Sequence, residues 1–207
     1  HAYQACRNTI DFVARKNNAK VVTCEIPFPI NNEEIIIEEI MRCVTERTKL
    51  ALIDTVTSPT GIKMPFEKLV ELLEKKGVKV LLDAAHGIGM IPLDLEKIGA
   101  SFTTSNCHKW LCATLGSGFL YVHPEFQRQV QPPVKSWGRV LPAMPEEWFE
   151  EFIWPGTRDP SSYLSVGTAI DFMQSVGLSA FRDRTYTMAR QTAADLMELT
   201  GTVPLGR

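Results

Sequence analysis

Residues 100–122 read Ala100-Ser-Phe-Thr-Thr-Ser-Asn-Cys-His-Lys-Trp-Leu-Cys-Ala-Thr-Leu-Gly-Ser-Gly-Phe-Leu-Tyr-Val122, and the rest of the chain is interpreted outward from this stretch. Its β-branched and aromatic start predicts a strand, a polar turn then carries His108, Lys109 and Trp110, and a second strand is predicted over residues 118–122. A lysine in the crook between two strands is an unusual place for a solvated charge, and desolvation favours the neutral, nucleophilic form of an amine. From this stretch alone, an ordinary surface lysine is an equal alternative.

The segments before this stretch alternate between strand and helix patterns. Nearly unbroken apolar runs predict buried strands over residues 49–56 and 78–82, and a helical spacing of apolar residues begins after Pro65 and ends at Gly77. This βαβαβ order predicts an α/β fold with a parallel, doubly wound sheet. Other patterns predict a short strand over residues 21–26 and helices over residues 3–17, 33–43, 93–98, 163–176 and 178–199.

The two halves of the chain differ in organisation. Prolines make residues 131–147 an irregular stretch, and long helices follow it. We expect residues 1–176 to form a large domain and residues 177–207 to be a linker helix with the start of a smaller C-terminal α/β domain. Because the chain opens within a helix pattern and stops without closing an element, we expect a fragment of a longer enzyme.

Composition argues against several functional classes. A net charge of −2 and a pI near 6.1 leave no electrostatic footprint for nucleic acid, and no apolar run approaches the length of a membrane span. The first residues do not predict a signal peptide. The five cysteines match neither a disulfide framework nor a zinc pair, which favours a reducing, cytoplasmic location. Among them Cys107 is a reactive thiol or, more simply, a small buried filler.

Polar side chains that could take part in catalysis or ligand binding follow successive strands of the predicted sheet. Ser58 comes after one strand, Asp83 and His86 after the next, and Lys109 after a third. Ligands of open parallel sheets bind at these carboxyl ends. A buried Asp83 carboxylate needs a positive partner, either an arginine or helix N-terminus of the protein or a ligand with a cationic nitrogen. Pyridoxal phosphate satisfies the whole set, because its aldehyde needs a lysine, its protonated pyridine nitrogen a carboxylate, and its phosphate hydrogen-bond donors.

A nicotinamide-binding domain is a weaker interpretation. The pairs Gly87/Gly89 and Gly116/Gly118 lack the G-x-G-x-x-G sequence that a first βα turn needs for a dinucleotide.

Four motifs together resemble one known family. They are Asp83-Ala-Ala-His86, Ser105-Asn-Cys-His-Lys-Trp110, Thr55-Val-Thr-Ser-Pro-Thr-Gly61 and Trp154-Pro-Gly-Thr-Arg-Asp159. The chain resembles the class V aminotransferase family of fold-type I pyridoxal-phosphate enzymes, in particular its isopenicillin N epimerase-like branch, which includes carbon–sulfur lyases and lies near the cysteine desulfurases. This resemblance implies a mostly parallel sheet sandwiched by helices, with pyridoxal 5′-phosphate as cofactor and no metal.

The resemblance also implies roles for individual residues. Lys109 would be catalytic and hold the cofactor as a Schiff base, and Asp83 would bind its pyridine nitrogen. His86 would lie near the 3-hydroxyl, where many members have glutamine, unless it is a hydrogen-bonded structural histidine. His108 and Asn106 would contact the phosphate, Asn106 standing where relatives often have serine or threonine.

Three further cofactor contacts are implied. Ser58 lies where cysteine desulfurases carry an asparagine near the ring oxygen. Tyr3, with His1 as second choice, would stack on the ring, although simple packing is the plainer explanation of a tyrosine there. Thr157 would reach the phosphate of a neighbouring subunit's cofactor, which implies a homodimer with shared sites.

The implied function is therefore an enzyme that acts at Cα or Cβ of an amino acid, by epimerase or aminotransferase chemistry, or alternatively as a carbon–sulfur lyase or desulfurase. From a different class, a truncated homologue acting as a non-catalytic assembly module is the competing hypothesis. The resemblance implies that a phosphate-binding loop lies before His1 and an arginine for the substrate carboxylate after Arg207.

Overall fold

A four-stranded sheet forms the centre of the structure, a computed structural model that describes residues 1–136 and 146–204. Its strands are β1 (Leu50–Asp54), β2 (Lys79–Asp83), β3 (Phe102–Asn106) and β4 (Gly118–Val122), in the order β1-β2-β3-β4. The first three strands run parallel and β4 pairs antiparallel with β3. The α/β architecture with a mostly parallel sheet is as predicted.

The described residues form seven α-helices. They are α1 (Gln4–Lys16), α2 (Glu33–Arg42), α3 (Phe66–Lys75), α4 (Leu95–Ile98), α5 (Glu150–Ile153), α6 (Ser161–Val176) and α7 (Leu178–Thr200), and a 3₁₀ helix covers Pro124–Gln129. The start of α2 is set locally, because the Asn32 side chain accepts a hydrogen bond from Ile35 N at 3.1 Å and acidic residues occupy the first turn.

The main core lies between α2, α3 and one face of the sheet. Alternate residues of the strands point to this face, so Ile53 and Leu82 meet the apolar stripes of the two helices. Leu69 and Leu73 of α3 have no solvent exposure. The opposite face of β1 and β2 is thereby left to carry the polar groups described below.

A second, smaller core holds the connection between β3 and β4. Cys107 and Leu111, on either side of Lys109, are buried against Ala169 and Met173 of α6. Cys107 and Leu111 each lie two residues from Lys109, and their packing holds the turn against α6. This packing fixes the position of the Lys109 backbone. Cys107 is a buried filler, as the plainer interpretation had it, and burial raises the pKa of its thiol.

The strand predicted over residues 21–26 is wrong. This segment forms no regular secondary structure and pairs with no strand of the described chain, and a β-strand requires a partner for its backbone groups. Residues 24 and 26 pack their side chains against the main core instead. In the stretch predicted to be irregular, residues 137–145 lie outside the described part of the chain, as do residues 205–207 of the expected second domain.

Within the described residues, no helix combines the length and apolar character that crossing a membrane requires.

Candidate active site

The three parallel strands bring polar side chains to a single edge of the sheet. Asp54, Asp83 and Asn106 are the last residues of β1, β2 and β3, and the turn with Lys109 leaves from the same edge. The strand register pairs Asp54 with Asp83 directly. Registered residues of neighbouring parallel strands point to the same face, so the two carboxylates lie side by side.

Asp83 is a buried carboxylate at the end of β2. Its side chain is only 8 % exposed. Ala85 N donates to Oδ1 at 2.9 Å, and Oδ2 receives a long contact from the Cys6 thiol at 3.8 Å. No lysine, arginine or histidine nitrogen lies within 4.0 Å of this carboxylate in the described residues. Of the partners considered from the sequence, an arginine is therefore ruled out within that part of the chain.

Asp54 adds a second acid to this face of the sheet. It is equally buried, and its Oδ1 has no hydrogen-bond partner among the described residues. Burial, followed by the charge of neighbouring Asp83, raises the pKa of Asp54 from 3.8 to about 6. The same cause, desolvation first and Asp83 second, raises the pKa of the Cys6 thiol. The site thus carries an excess of buried acid that a cation would relieve.

Lys109 contacts His86, which in turn contacts Trp110. The Lys109 Nζ atom lies 3.2 Å from His86 Nε2, and the Trp110 indole Nε1 donates to His86 Nδ1 at 3.1 Å. Burial and the charge of Lys109 lower the pKa of His86, while Asp83 acts in the opposite direction. The structure therefore brings Asp83, His86 and Lys109 into one electrostatic cluster.

Tyr3 lies beside Lys109, directly before α1. Its ring centroid lies 5.8 Å from Lys109 Nζ, at the start of α1. His1 lies apart from this contact: its ring packs edge-on against Phe28, and its Nδ1 lies 3.4 Å from Thr60 Oγ1. Of the two rings predicted to stack on the cofactor, Tyr3 is the one for which the structure shows a contact with the lysine.

Four other predicted residues make no side-chain hydrogen bond to Lys109 in the part of the chain that the structure describes. His108 Nδ1 forms a hydrogen bond of 2.9 Å with the Ser117 carbonyl oxygen, so that Nε2 remains for a ligand. Asn106 is half-buried at the end of β3. Ser58 is exposed in the loop after β1, and Thr157 is exposed in the turn before α6. Their predicted roles, like those of the central residues, stay predictions.

Close packing explains two of the glycines that do not form a dinucleotide-binding motif. A Cβ at Gly89, whose φ is +82°, would lie 2.5 Å from the Trp110 carbonyl oxygen. A Cβ at Gly118 would lie 2.7 Å from the carbonyl oxygen of Ser105 on the paired strand. Both are positions of close backbone approach, which only glycine permits.

The donor set fits the cofactor expected from the sequence. Pyridoxal phosphate needs an amine for its aldehyde and a carboxylate for its protonated pyridine nitrogen. Lys109 would supply the amine, and Asp83 would supply a buried carboxylate that has no cationic partner in the described residues. A pyridinium placed there would compensate the buried negative charge of Asp83 and Asp54.

Comparison with known proteins agrees with this geometry. The family model described as Aminotransferase class-V matches residues 2–207. The chain belongs to the class V aminotransferase family. L-cysteine desulfhydrase of Arabidopsis thaliana is 33 % identical over 83 % of this chain and 38 % of its own length. Isopenicillin N epimerase of Amycolatopsis lactamdurans is 30 % identical over 93 % of this chain and 51 % of its own length.

Among solved structures, the apo structure of the cysteine desulfurase from Thermococcus onnurineus NA1 superposes with a TM-score of 0.78 at 22 % identity, over 91 % of this chain and 47 % of that one. This class V chain therefore has the fold-type I architecture predicted from its sequence, and the family's cofactor is pyridoxal phosphate. The chain spans about half the length, or less, of these relatives.

Sequence reasoning missed two neighbours of the cluster and one hydrogen bond within it. Asp54 was detectable, because Leu52-Ile53-Asp54 ends β1 with the same apolar–apolar–acid pattern that ends β2. Cys6 has no comparable signal, since its proximity to Asp83 depends on where α1 lies relative to the end of β2. The hydrogen bond from Trp110 to His86 joins residues 24 positions apart and depends on the fold of two loops.

Proposed function

We propose that the protein containing this chain is a pyridoxal-phosphate enzyme that acts at Cα and Cβ of an amino acid, with Lys109 as the cofactor-binding and catalytic lysine. The observation that carries the proposal is the cluster of Lys109, His86 and Asp83 at one sheet edge, where Asp83 has no cationic partner among the described residues. When bound, the cofactor withdraws electrons from the substrate's Cα.

The residues of this chain take distinct parts in such a reaction. Asp83 would neutralise the positive charge of the cofactor's pyridine nitrogen through its Oδ2 atom, since Oδ1 already accepts the bond from Ala85 N. Lys109 Nζ, once displaced by the substrate amine, would take the proton from Cα as a general base. Tyr3 would limit the access of water on its side of the lysine. His108, with Nδ1 engaged, would reach the phosphate through Nε2.

A carbon–sulfur lyase acting on cysteine or a similar β-thiol amino acid is the reaction we favour. The support is the 33 % identity to an L-cysteine desulfhydrase. In this reaction Lys109 removes the α-proton, the Cβ–S bond breaks with sulfur taking the electron pair, and hydrolysis of the enamine product releases ammonia and pyruvate. Epimerisation at Cα is the second candidate, supported by the 30 % identity to an isopenicillin N epimerase.

The test uses the full-length holoenzyme with L-cysteine. Release of sulfide and pyruvate in equal amounts supports the lyase, and α-proton exchange with inversion but without sulfide supports the epimerase. Lys109→Ala should abolish either reaction together with the visible absorbance that borohydride shifts. A colourless full-length protein that cannot be reconstituted with pyridoxal phosphate would favour the non-catalytic assembly module.

We further propose a homodimer in which the exposed Thr157 reaches the cofactor phosphate of the partner subunit. Mixing Thr157→Ala subunits with Lys109→Ala subunits tests this arrangement. If sites are shared, a mixed dimer holds one site with both defects and one intact site, so that activity returns. Two independent sites per dimer would restore nothing.

A further inference from the structure

The hydrogen bonds around His86 define which of its nitrogens carries the proton. The indole N–H of Trp110 is a donor only, and it donates to His86 Nδ1 at 3.1 Å. Nδ1 must therefore present a lone pair. In a neutral imidazole the other nitrogen then carries the hydrogen, so His86 is the Nε2–H tautomer. The proton is assigned from this network of donors and acceptors.

This tautomer changes the meaning of the contact with Lys109. Nε2 lies 3.2 Å from Lys109 Nζ, and an Nε2–H can only donate. The amine accepts that hydrogen bond through its lone pair, which an ammonium does not have. In this tautomer the hydrogen bond can form only with the unprotonated amine, the form that attacks an aldehyde carbon.

Trp110 is itself held in place by the backbone around it. Gly89 packs against the Trp110 carbonyl so closely that a Cβ would lie 2.5 Å from its oxygen. Arg182 of α7 in turn donates to the carbonyl of Gly89 at 3.2 Å and to that of Ile91 at 3.0 Å. The indole is thus aimed at His86 by a loop that a long helix braces.

We propose that Trp110 is a positioning residue: its indole N–H holds His86 as the Nε2–H tautomer, and His86 thereby presents a hydrogen-bond donor to Lys109 and to the cofactor beside it. This inference rests on the proposed function for its link to the cofactor, while the tautomer itself does not depend on that function. The charged groups that face His86 are Lys109 and Asp83. Burial, the largest cause, lowers the pKa of His86 and so favours the neutral ring that the tautomer argument requires.

Without the indole donor, His86 is free to present a lone pair at Nε2 and to accept a hydrogen bond from a Lys109 ammonium. The lysine would then be held in its unreactive form. A neutral hydrogen bond contributes about 1 kcal/mol, which corresponds to about a fivefold change in an equilibrium. We expect Trp110→Phe to slow the attachment of pyridoxal phosphate to Lys109 about fivefold at neutral pH.

The tautomer is measured directly by nitrogen-15 NMR of histidine-labelled, full-length protein freed of cofactor. We expect a protonated Nε2 and an unprotonated Nδ1 for His86, and a scalar coupling across the hydrogen bond from Trp110. Neither measurement needs a variant. A protonated Nδ1 in the wild-type protein would overturn the proposal.

Variants then test whether Trp110 acts through His86. Trp110→Phe should shift His86 towards the other tautomer and slow the rise of the lysine-bound cofactor absorbance, whereas Trp148→Phe, at an indole packed edge-on against Phe149 and Phe152, should change neither. In a His86→Gln background, Trp110→Phe should have less than about a twofold further effect.

Two outcomes would contradict the positioning role: a Trp110→Phe protein that keeps the wild-type tautomer, or one whose loading slows equally in the His86→Gln background. Failure of the proposed function is distinguishable from both. In that case wild-type protein binds no cofactor at Lys109, although its His86 tautomer is as expected.

Discussion

Asp54→Asn should stabilise the cofactor-free protein, by an amount that grows with pH. The Asp54 carboxyl is buried beside Asp83, and its pKa is raised from 3.8 to about 6. A raised acid pKa means that the folded state holds its proton more tightly than the unfolded state, so stability is lost as pH rises from about 4 to above 6. The shift of about two pKa units corresponds to about 3 kcal/mol. An asparagine has no charge to bury and nearly the same shape.

The expected gain in unfolding free energy is about 1 kcal/mol at pH 4.5 and about 3 kcal/mol at pH 8. Urea denaturation of the full-length, cofactor-free protein at both pH values measures it. Asp171→Asn, at an exposed acid on α6, is the matched control and should change stability little at either pH. The reasoning is refuted if Asp54→Asn is destabilising at pH 8, or if the carbon-13 resonance of the Asp54 carboxyl titrates near pH 4.

Two further predictions concern Asp83, the acid beside Asp54, and Met173, which packs below the turn that carries Lys109. Asp83→Asn should weaken pyridoxal-phosphate binding about 10- to 100-fold, since a hydrogen bond to a charged group contributes about 1.5–3 kcal/mol, and equilibrium dialysis measures it. Because this change also removes a charge next to Asp54, the cofactor-free protein should not lose stability; a large loss would make Asp83 a structural residue. Met173→Ala should cost about 3 kcal/mol in urea denaturation, because the side chain is 2 % exposed in the core below the lysine turn. Met188→Ala, at a side chain 55 % exposed on α7, should change stability by less than about 0.5 kcal/mol, and equal losses would contradict this assignment of the core.

The placement of Asp83 shows how far a local pattern reaches. Two apolar residues before an acid predicted a buried strand with a carboxylate at its carboxyl end, and β2 does end at Asp83. The same reasoning placed Lys109 in the turn between β3 and β4. The strand predicted over residues 118–122 has the bounds of β4 in the structure. Strand ends are predictable because period, apolar runs and turn residues are properties of neighbours along the chain.

The strand predicted over residues 21–26 failed for the converse reason. Val21 and Val22 have the propensity of a strand, but a strand also needs a partner, and no described strand pairs with this segment. Pairing is a property of distant residues, and β propensity depends strongly on that context.

Local order along the chain thus determined the α/β class, the strand ends, and the acid and lysine that meet at one sheet edge. The contacts that affect the protonation and orientation of those groups came only from the tertiary structure. They are the strand register that pairs Asp54 with Asp83, the position of α1 that brings Cys6 and Tyr3 to the site, and the hydrogen bond from Trp110 to His86. A hydrogen bond requires atoms to meet within about 3 Å with a set orientation. Spacing along the sequence places residues on the same edge, whereas that precision arises only when separate elements pack together.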